Sequence, residues 1–363
     1  MYANRPLQRF WWYLLLPWLL VTSACAEQED PDRWQALLDQ RLRALADEAP
    51  GELGVYVKRV REEEAVSIGA GQRWYLASTV KVPVAIVLLE LVEEGEIGLD
   101  EALVLQDDVR VDGAGELIWQ QTGGRYDVGD LLERMVTHSD NTAADMLISR
   151  IGVERLNQRL STIGDRLGIG APGFGPITTL AEVRYQVYRR LHPDAVGLDR
   201  QQLAEIAAAA IGPLRVDAVA RALGVERAEL ELDDIDAAYA DYYAQGDNSA
   251  ALADVARLFE GLVEGELLNS EHRALLYRLM KIDRYEAYRL EGGLDEATEF
   301  IHKTGTQRQR ACHAGVIDPS DPERAIVVIA CTQDMDEASP SEALLERVGA
   351  SIEEILVAPG RQS

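Results

Sequence analysis

Apolar and polar positions alternate along the chain with two different periods. From 32 to 49 apolar residues recur at helical spacing, and two short alternating segments, 53–60 and 65–69, read as a β-hairpin. Positions 78–94 predict a strongly apolar helix carrying Val80, Val82, Val84, Val87, Leu88 and Leu91, closed by Gly95. Pro83 falls near its start, where a missing N–H costs least. A helix around 131–136 leads into His138-Ser139-Asp140-Asn141, and 141–150 and 153–163 predict two more. A glycine-rich break, 164–175, precedes helical stretches at 180–191, 200–211 and 214–223, and further ones up to Met280. Strand patterns return at 297–304, 311–317 and 325–331, and an amphipathic helix spans 341–356. Strands at both ends with helices between them predict one α+β fold, an antiparallel sheet flanked by helices with an all-helical part.

The runs 311–317 and 325–331 are separated by Asp318-Pro319-Ser320-Asp321-Pro322-Glu323, which is turn chemistry. A symmetric hairpin that pairs Ile317 with Ile326 also sets Cys312 opposite Cys331. A disulfide and two buried free thiols both fit that register.

Composition changes the picture at two points. The 363 residues hold 36 Lys and Arg against 62 Asp and Glu, a formal net charge of −26. Such acidity argues against nucleic acid and against docking on anionic lipid through a basic face. At the N-terminus, Arg5 and Arg9 precede an apolar run, 10–21, then Thr22, Ser23, Ala24 and Cys25. This is the layout of a secretory signal peptide over residues 1–26. Thr22-Ser23-Ala24-Cys25 resembles a bacterial lipobox, with Cys25 as the lipidated residue and only membrane attachment. Ala24-Cys25-Ala26 equally fits ordinary cleavage after Ala26. Either way the expectation is an exported, periplasmic or cell-envelope protein, read as a monomer.

Ser78-Thr79-Val80-Lys81 places a serine and a lysine three residues apart at a helix start. Those positions share a helix face, so Lys81 can take the Ser78 proton once burial and a neighbouring cation lower its pKa. An N-capping serine beside a solvated lysine gives the same letters. Two further segments change the balance: Ser139-Asp140-Asn141, and Lys303-Thr304-Gly305-Thr306 on a predicted strand.

The three motifs in this order resemble the class A β-lactamases and penicillin-binding proteins. Ser78–Pro83, Ser139–Ala144 and Lys303–Thr306 are similar to the family's three motifs with their continuations, and about 32–163 and 246–357 are similar overall. The resemblance implies a β-lactamase-like catalytic domain over 32–357, with no cofactor and no metal. Ser78 is then the acylated nucleophile, Lys81 its base, and Ser139 the proton relay. Asn141 holds the substrate amide, and Lys303, Thr304, Gly305 and Thr306 line the place of its carboxylate. The backbone N–H groups of Ser78 and Thr306 form the oxyanion hole.

The chain departs from that pattern between 163 and 246, where a helical insertion, around 176–246, is expected to cap the site. Glu229-Leu230-Glu231-Leu232-Asp233 is the segment most similar to the family's deacylating loop, which makes Glu229 the candidate general base. An acidic solvated turn is the competing reading, and Glu231, Asp234 and Asp236 are nearby acids able to substitute for Glu229 as the base. Residues 216–225 mimic a helix-turn-helix, but the acidic chain offers too little positive charge for DNA. His138, His192, His272, His302 and His313 lack zinc-ligand spacing. His302, His313, Arg308 and Arg310 border the third motif, either touching substrate or packing in the strands. Trp119 and Tyr126 either wall the cleft or belong to the core. The expected activity is opening of β-lactam rings through a Ser78 acyl-enzyme. The alternatives are a peptidoglycan DD-peptidase or amidase, and an envelope protein that binds penicillin without turnover.

Overall fold

The computed structural model describes Met1, residues 33–282 and residues 287–360. The leader and Cys25 lie outside the described residues. Nine strands and twelve principal helices are described. The main sheet is antiparallel and five-stranded, in the order β2-β1-β9-β8-β7. Its strands are β1 (Glu52–Arg59), β2 (Val66–Ile68), β7 (Phe300–Gln307), β8 (Arg310–Ile317) and β9 (Ile326–Gln333). Two small ribbons pair β3 (Arg73–Tyr75) with β6 (Ser249–Ala251), and β4 (Ala102–Val104) with β5 (Arg125–Asp127).

Period-two alternation sorts each central strand between two cores. Ile326, Val328 and Ala330 of β9 face a core with α1 (Arg33–Glu48) and α12 (Ser339–Ile352). Val327, Ile329 and Cys331 face the larger core with α2 (Lys81–Glu93) and α10 (Leu252–Glu264). Around α2, which is apolar on all sides, pack α3 (Val128–Thr137), α4 (Asn141–Ile151) and α5 (Val153–Leu167), while α11 (Ser270–Met280) closes against α3 and β7. Then comes a run of four helices: α6 (Leu180–Leu191), α7 (Arg200–Ala208), α8 (Pro213–Leu223) and α9 (Ile235–Tyr243). This run has its own core of Val187, Tyr188, Leu203, Val216 and Tyr242, which also takes in Tyr75 and Ala77 beside the nucleophile turn. The helices between 180 and 243 therefore grip the chain just before Ser78. Val216 and Val219, part of the helix-turn-helix mimic, are consumed in this packing.

The hairpin register is Ile317↔Ile326 and Cys312↔Cys331, and the two cysteines form a disulfide buried in the larger core. Closing a short loop removes about 3 kcal/mol of unfolded-chain freedom. Replacing both cysteines by alanine is expected to lower the melting temperature by roughly 5–10 °C. Thermal unfolding of the variant, and of the unaltered protein in strong reductant, checks this.

Candidate active site

Ser78 sits on a single 3-10 turn, Ala77–Val80, that runs into α2. Predicting the helix from Ser78 was one turn early, because Ala77 takes φ 47° and the regular α2 begins at Lys81. Neighbours fix the turn. Leu76 donates its N–H to Asn248 O, and the Thr79 N–H returns to Leu76 O. β7 lies so close that a Cβ on Gly305 would come 2.5 Å from Leu76 O and 2.9 Å from Ser78 N. Only glycine fits there.

Lys81 is fully buried, with Nζ 3.3 Å from Ser78 Oγ and 3.2 Å from Ser139 Oγ. It donates to Ser139 O at 2.5 Å and to Asn141 Oδ1 at 2.7 Å. Burial and the Lys303 charge hold the Lys81 amine well below its ordinary pKa, against the opposing pull of Asp140 and Asp145. A neutral amine within reach of both hydroxyls can take one proton and return it through the other. Ser139 reaches this place on a left-handed backbone, φ 56°, just before α4. Asp140 then caps α4 through the Ala143 N–H and accepts the N–H groups of Glu116 and Leu117. Gly115, at φ +100°, leaves room for that carboxylate, since a Cβ would lie 2.2 Å from it.

Asn141 is engaged at both ends. Its Nδ2 donates to Asp112 O at 2.7 Å while Oδ1 holds Lys81. Lys303 is buried, and burial followed by the Arg289 charge brings its pKa down to about 7. Thr304 Oγ1 accepts from the Tyr288 hydroxyl. Sequence reasoning missed Arg289. Its buried guanidinium donates to Gly305 O, Cys312 O and Thr306 Oγ1, which ties the Lys303–Thr306 strand to its neighbour. A lone arginine in an irregular stretch carries no pattern that marks it.

Ser78 and Thr306 border two cavities at once. One, of about 490 Å³, runs toward α6 and α7; the other, of about 420 Å³, runs past Ser139, Lys303 and Thr304 to His302 and Glu291. His302 and His313 bond to each other, and His313 is fully buried. Arg308 pairs with Asp236, and Arg310 pairs with Asp334 and stacks on Tyr243. Trp119 stands on the rim, 79% exposed, whereas Tyr126 packs against the larger core.

Glu229 is not placed at Ser78. It lies exposed on the turn Arg227–Glu229, its carboxylate accepting the Glu226 N–H, and it borders neither cavity. Asp234 caps α9, and Asp236 is held by Arg308. The cavity that Ser78 borders is walled by α6, whose first turn is pinned where buried Asp145 accepts the N–H groups of Leu180 and Ala181. Burial raises the Asp145 pKa to about 6, opposed by those two bonds. Beside Ser78, α6 presents Leu180, Val183 and Arg184. Arg184 grips Asp112 at 2.9 and 3.2 Å.

With this geometry in view, the chain matches the profile described as the beta-lactamase enzyme family over residues 37–182 and 205–356. The chain belongs to the beta-lactamase enzyme family. A beta-lactamase of Streptomyces lavendulae is 28% identical over 149 residues, 40% of this chain and 47% of that protein. One of Streptomyces fradiae is 30% identical over 120 residues, 32% of this chain and 39% of that protein. The matches thus span under half the length of these relatives. Among solved structures, PBP-A aligns with a TM-score of 0.64 at 21% identity, covering 90% of this chain and 96% of its own. A reconstructed ancestral class A beta-lactamase aligns at 0.62 and 21%, covering 87% and 99%. A beta lactamase of Xanthomonas campestris aligns at 0.65 and 18%, covering 89% and 98%. The fold is the one shared by these beta-lactamases and PBP-A.

Proposed function

We propose that Ser78 is acylated by β-lactams, or by a peptidoglycan-like amide bearing a carboxylate, and that the acyl-enzyme is hydrolysed slowly. Lys81, neutral in its buried pocket, takes the Ser78 proton as Oγ attacks the carbonyl carbon. The C–N bond then breaks, and Ser139 passes the proton from Lys81 to the leaving nitrogen. Lys303, with the Thr304 and Thr306 hydroxyls, supplies the positive and donating surface for the substrate carboxylate. The N–H groups of Ser78 and Thr306 are the oxyanion donors in this reading.

The observation that carries slow hydrolysis is the face of α6 beside Ser78. It offers two apolar side chains and an arginine, while the two carboxylates that line that cavity among the described residues, Asp112 and Glu337, are engaged by Arg184 and by the Gln309 N–H. A base placed on the attacking water contributes about 10²–10⁴ in rate, and its lack leaves the acyl-enzyme long-lived. The names of the two Streptomyces relatives favour a second reading, full turnover, which requires Asp112 to leave Arg184. A chromogenic cephalosporin separates the two. The expected trace is a burst of one product per enzyme followed by a far slower steady rate. Fast linear turnover from the start would establish the second reading. The disulfide supports export, since such bonds persist in oxidising compartments; fractionation of the native host checks that.

A further inference from the structure

We propose that an outer cavity, between the 107–120 loop and the start of α7, binds a neutral glycan, a chain of uncharged pyranose rings. The family profile passes over residues 183–204, and that segment supplies Tyr185, Asp199, Arg200, Gln201 and Ala204 to this cavity. The loop supplies Asp107, Asp108, Arg110, Ile118 and Trp119, around a volume of about 700 Å³. The outer cavity shares Ile118, Trp119 and Ala204 with the cavity of Ser78, but Ser78 does not border it. It is built from a part of the chain that the family does not share, and the acyl-enzyme reading does not use it.

Trp119 stands in water, 79% exposed, on a turn that is held in place. Arg110 donates to Ile118 O and Gln120 O, the carbonyls before and after Trp119, and the Trp119 N–H returns to Glu116 O at 3.0 Å. An indole presented in this way loses little freedom when a flat ligand covers it. Arg200 supplies hydrogen-bond donors. Its guanidinium stacks over the Tyr185 ring at 5.5 Å and bears on the charge of Asp145, yet it makes no hydrogen bond among the described residues. Its Nη1 is buried, and its other two nitrogens reach solvent. Asp108 supplies an acceptor, exposed and without a partner among the described residues. The remaining charges are engaged, since Arg110 pairs with Asp107 and Asp199 caps α7.

An unbonded donor, an unbonded acceptor and a flat apolar face are the complement of a pyranose. Its ring C–H groups form an apolar face, and its hydroxyls both donate and accept. Charged ligands fit less well. An anion drawn to Arg200 shares the space with Asp107, Asp108 and Asp199, and a cation drawn to Asp108 shares it with Arg110 and Arg200. A neutral polyol satisfies both free groups and repels neither.

Isothermal calorimetry with cellopentaose and with penta-N-acetylchitopentaose tests this. At least one of them is expected to bind with a Kd in the millimolar range or tighter. Trp119→Ala should weaken that binding by about tenfold or more, and Trp119→Phe, which keeps a flat ring, should recover part of the loss. Arg200→Ala and Asp108→Ala alter residues that border the outer cavity and not the Ser78 cavity, and each should weaken binding by about threefold or more. Asp108 is exposed and unpartnered, so its replacement leaves the fold intact, which thermal unfolding checks. Binding of neither glycan overturns the site. So does an affinity unmoved in Trp119→Ala, or unmoved in both Arg200→Ala and Asp108→Ala. Tighter binding of tetragalacturonate, which carries a carboxylate on each ring, or of tetra-alanine overturns the chemical class. Capture of benzylpenicillin at Ser78 is a separate measurement, so either reading can fail alone.

Discussion

Ser78→Ala is expected to abolish covalent capture of penicillin, lowering the rate by on the order of 10⁴ or more. Intact-mass spectrometry after incubation with benzylpenicillin should show the adduct on the unaltered protein and none on the variant. The change is confined to chemistry, because the turn that carries Ser78 is held by backbone bonds at Leu76 and Thr79 and by the approach of Gly305. None of these uses the Ser78 hydroxyl. The variant should therefore unfold at the same temperature as the parent. Among the described residues Ser139 is the other serine that bonds Lys81, so an adduct persisting in Ser78→Ala would move the nucleophile there.

Lys81→Ala is expected to slow acylation by about 10²–10⁴ while leaving the protein folded, since the buried amine is costly to place in the first place. The pH profile carries the sharper signature. Acylation needs Lys81 neutral, so the rate rises with pH as the amine loses its proton. That limb lies well below the usual lysine range because burial and Lys303 disfavour the charged form. Binding an anionic substrate needs Lys303 charged, and its pKa of about 7 makes the rate fall again above neutrality. The result is a bell-shaped profile of the second-order acylation rate in the free enzyme, with apparent values that belong to the two lysines together. Lys303→Arg keeps its charge at every accessible pH and should remove the alkaline limb. A flat profile from pH 5 to 9 would overturn the assignment of Lys81 as base.

The parts of the site written as short-range pattern were legible in the sequence. Ser78 and Lys81 meet because they are three apart at a helix start, and Cys312 meets Cys331 because a tight hairpin fixes every later pair. The convergence of Ser139 and Lys303 on that helix was legible through the order of three motifs, not through any one of them. What escaped lies in contacts between distant segments. Asp145, an acid within α4, reads as ordinary helix until its two bonds to the start of α6 are seen. Those bonds bring Leu180 into the lining of the cavity that Ser78 borders, whereas position along the chain points to Glu229. Arg289 escaped for the same reason: its three carbonyl and hydroxyl partners all come from β7 and β8.

The pairing of β1 with β9 has a consequence for how the molecule comes into being. The strand at the sheet's centre, β9, is the last to be synthesised, so β1 waits for this partner until almost the whole chain exists. Contacts this far apart in sequence form late and slowly. Ser78 and Lys81 leave the ribosome early, but the strand that carries Lys303 and presses Gly305 against the nucleophile turn arrives only near the end. A nascent or truncated chain thus carries Ser78 and Lys81 without the strand that places Lys303 and Gly305 beside them. On the proposed function, Ser78 gains its complete site only once the final hairpin has closed behind it.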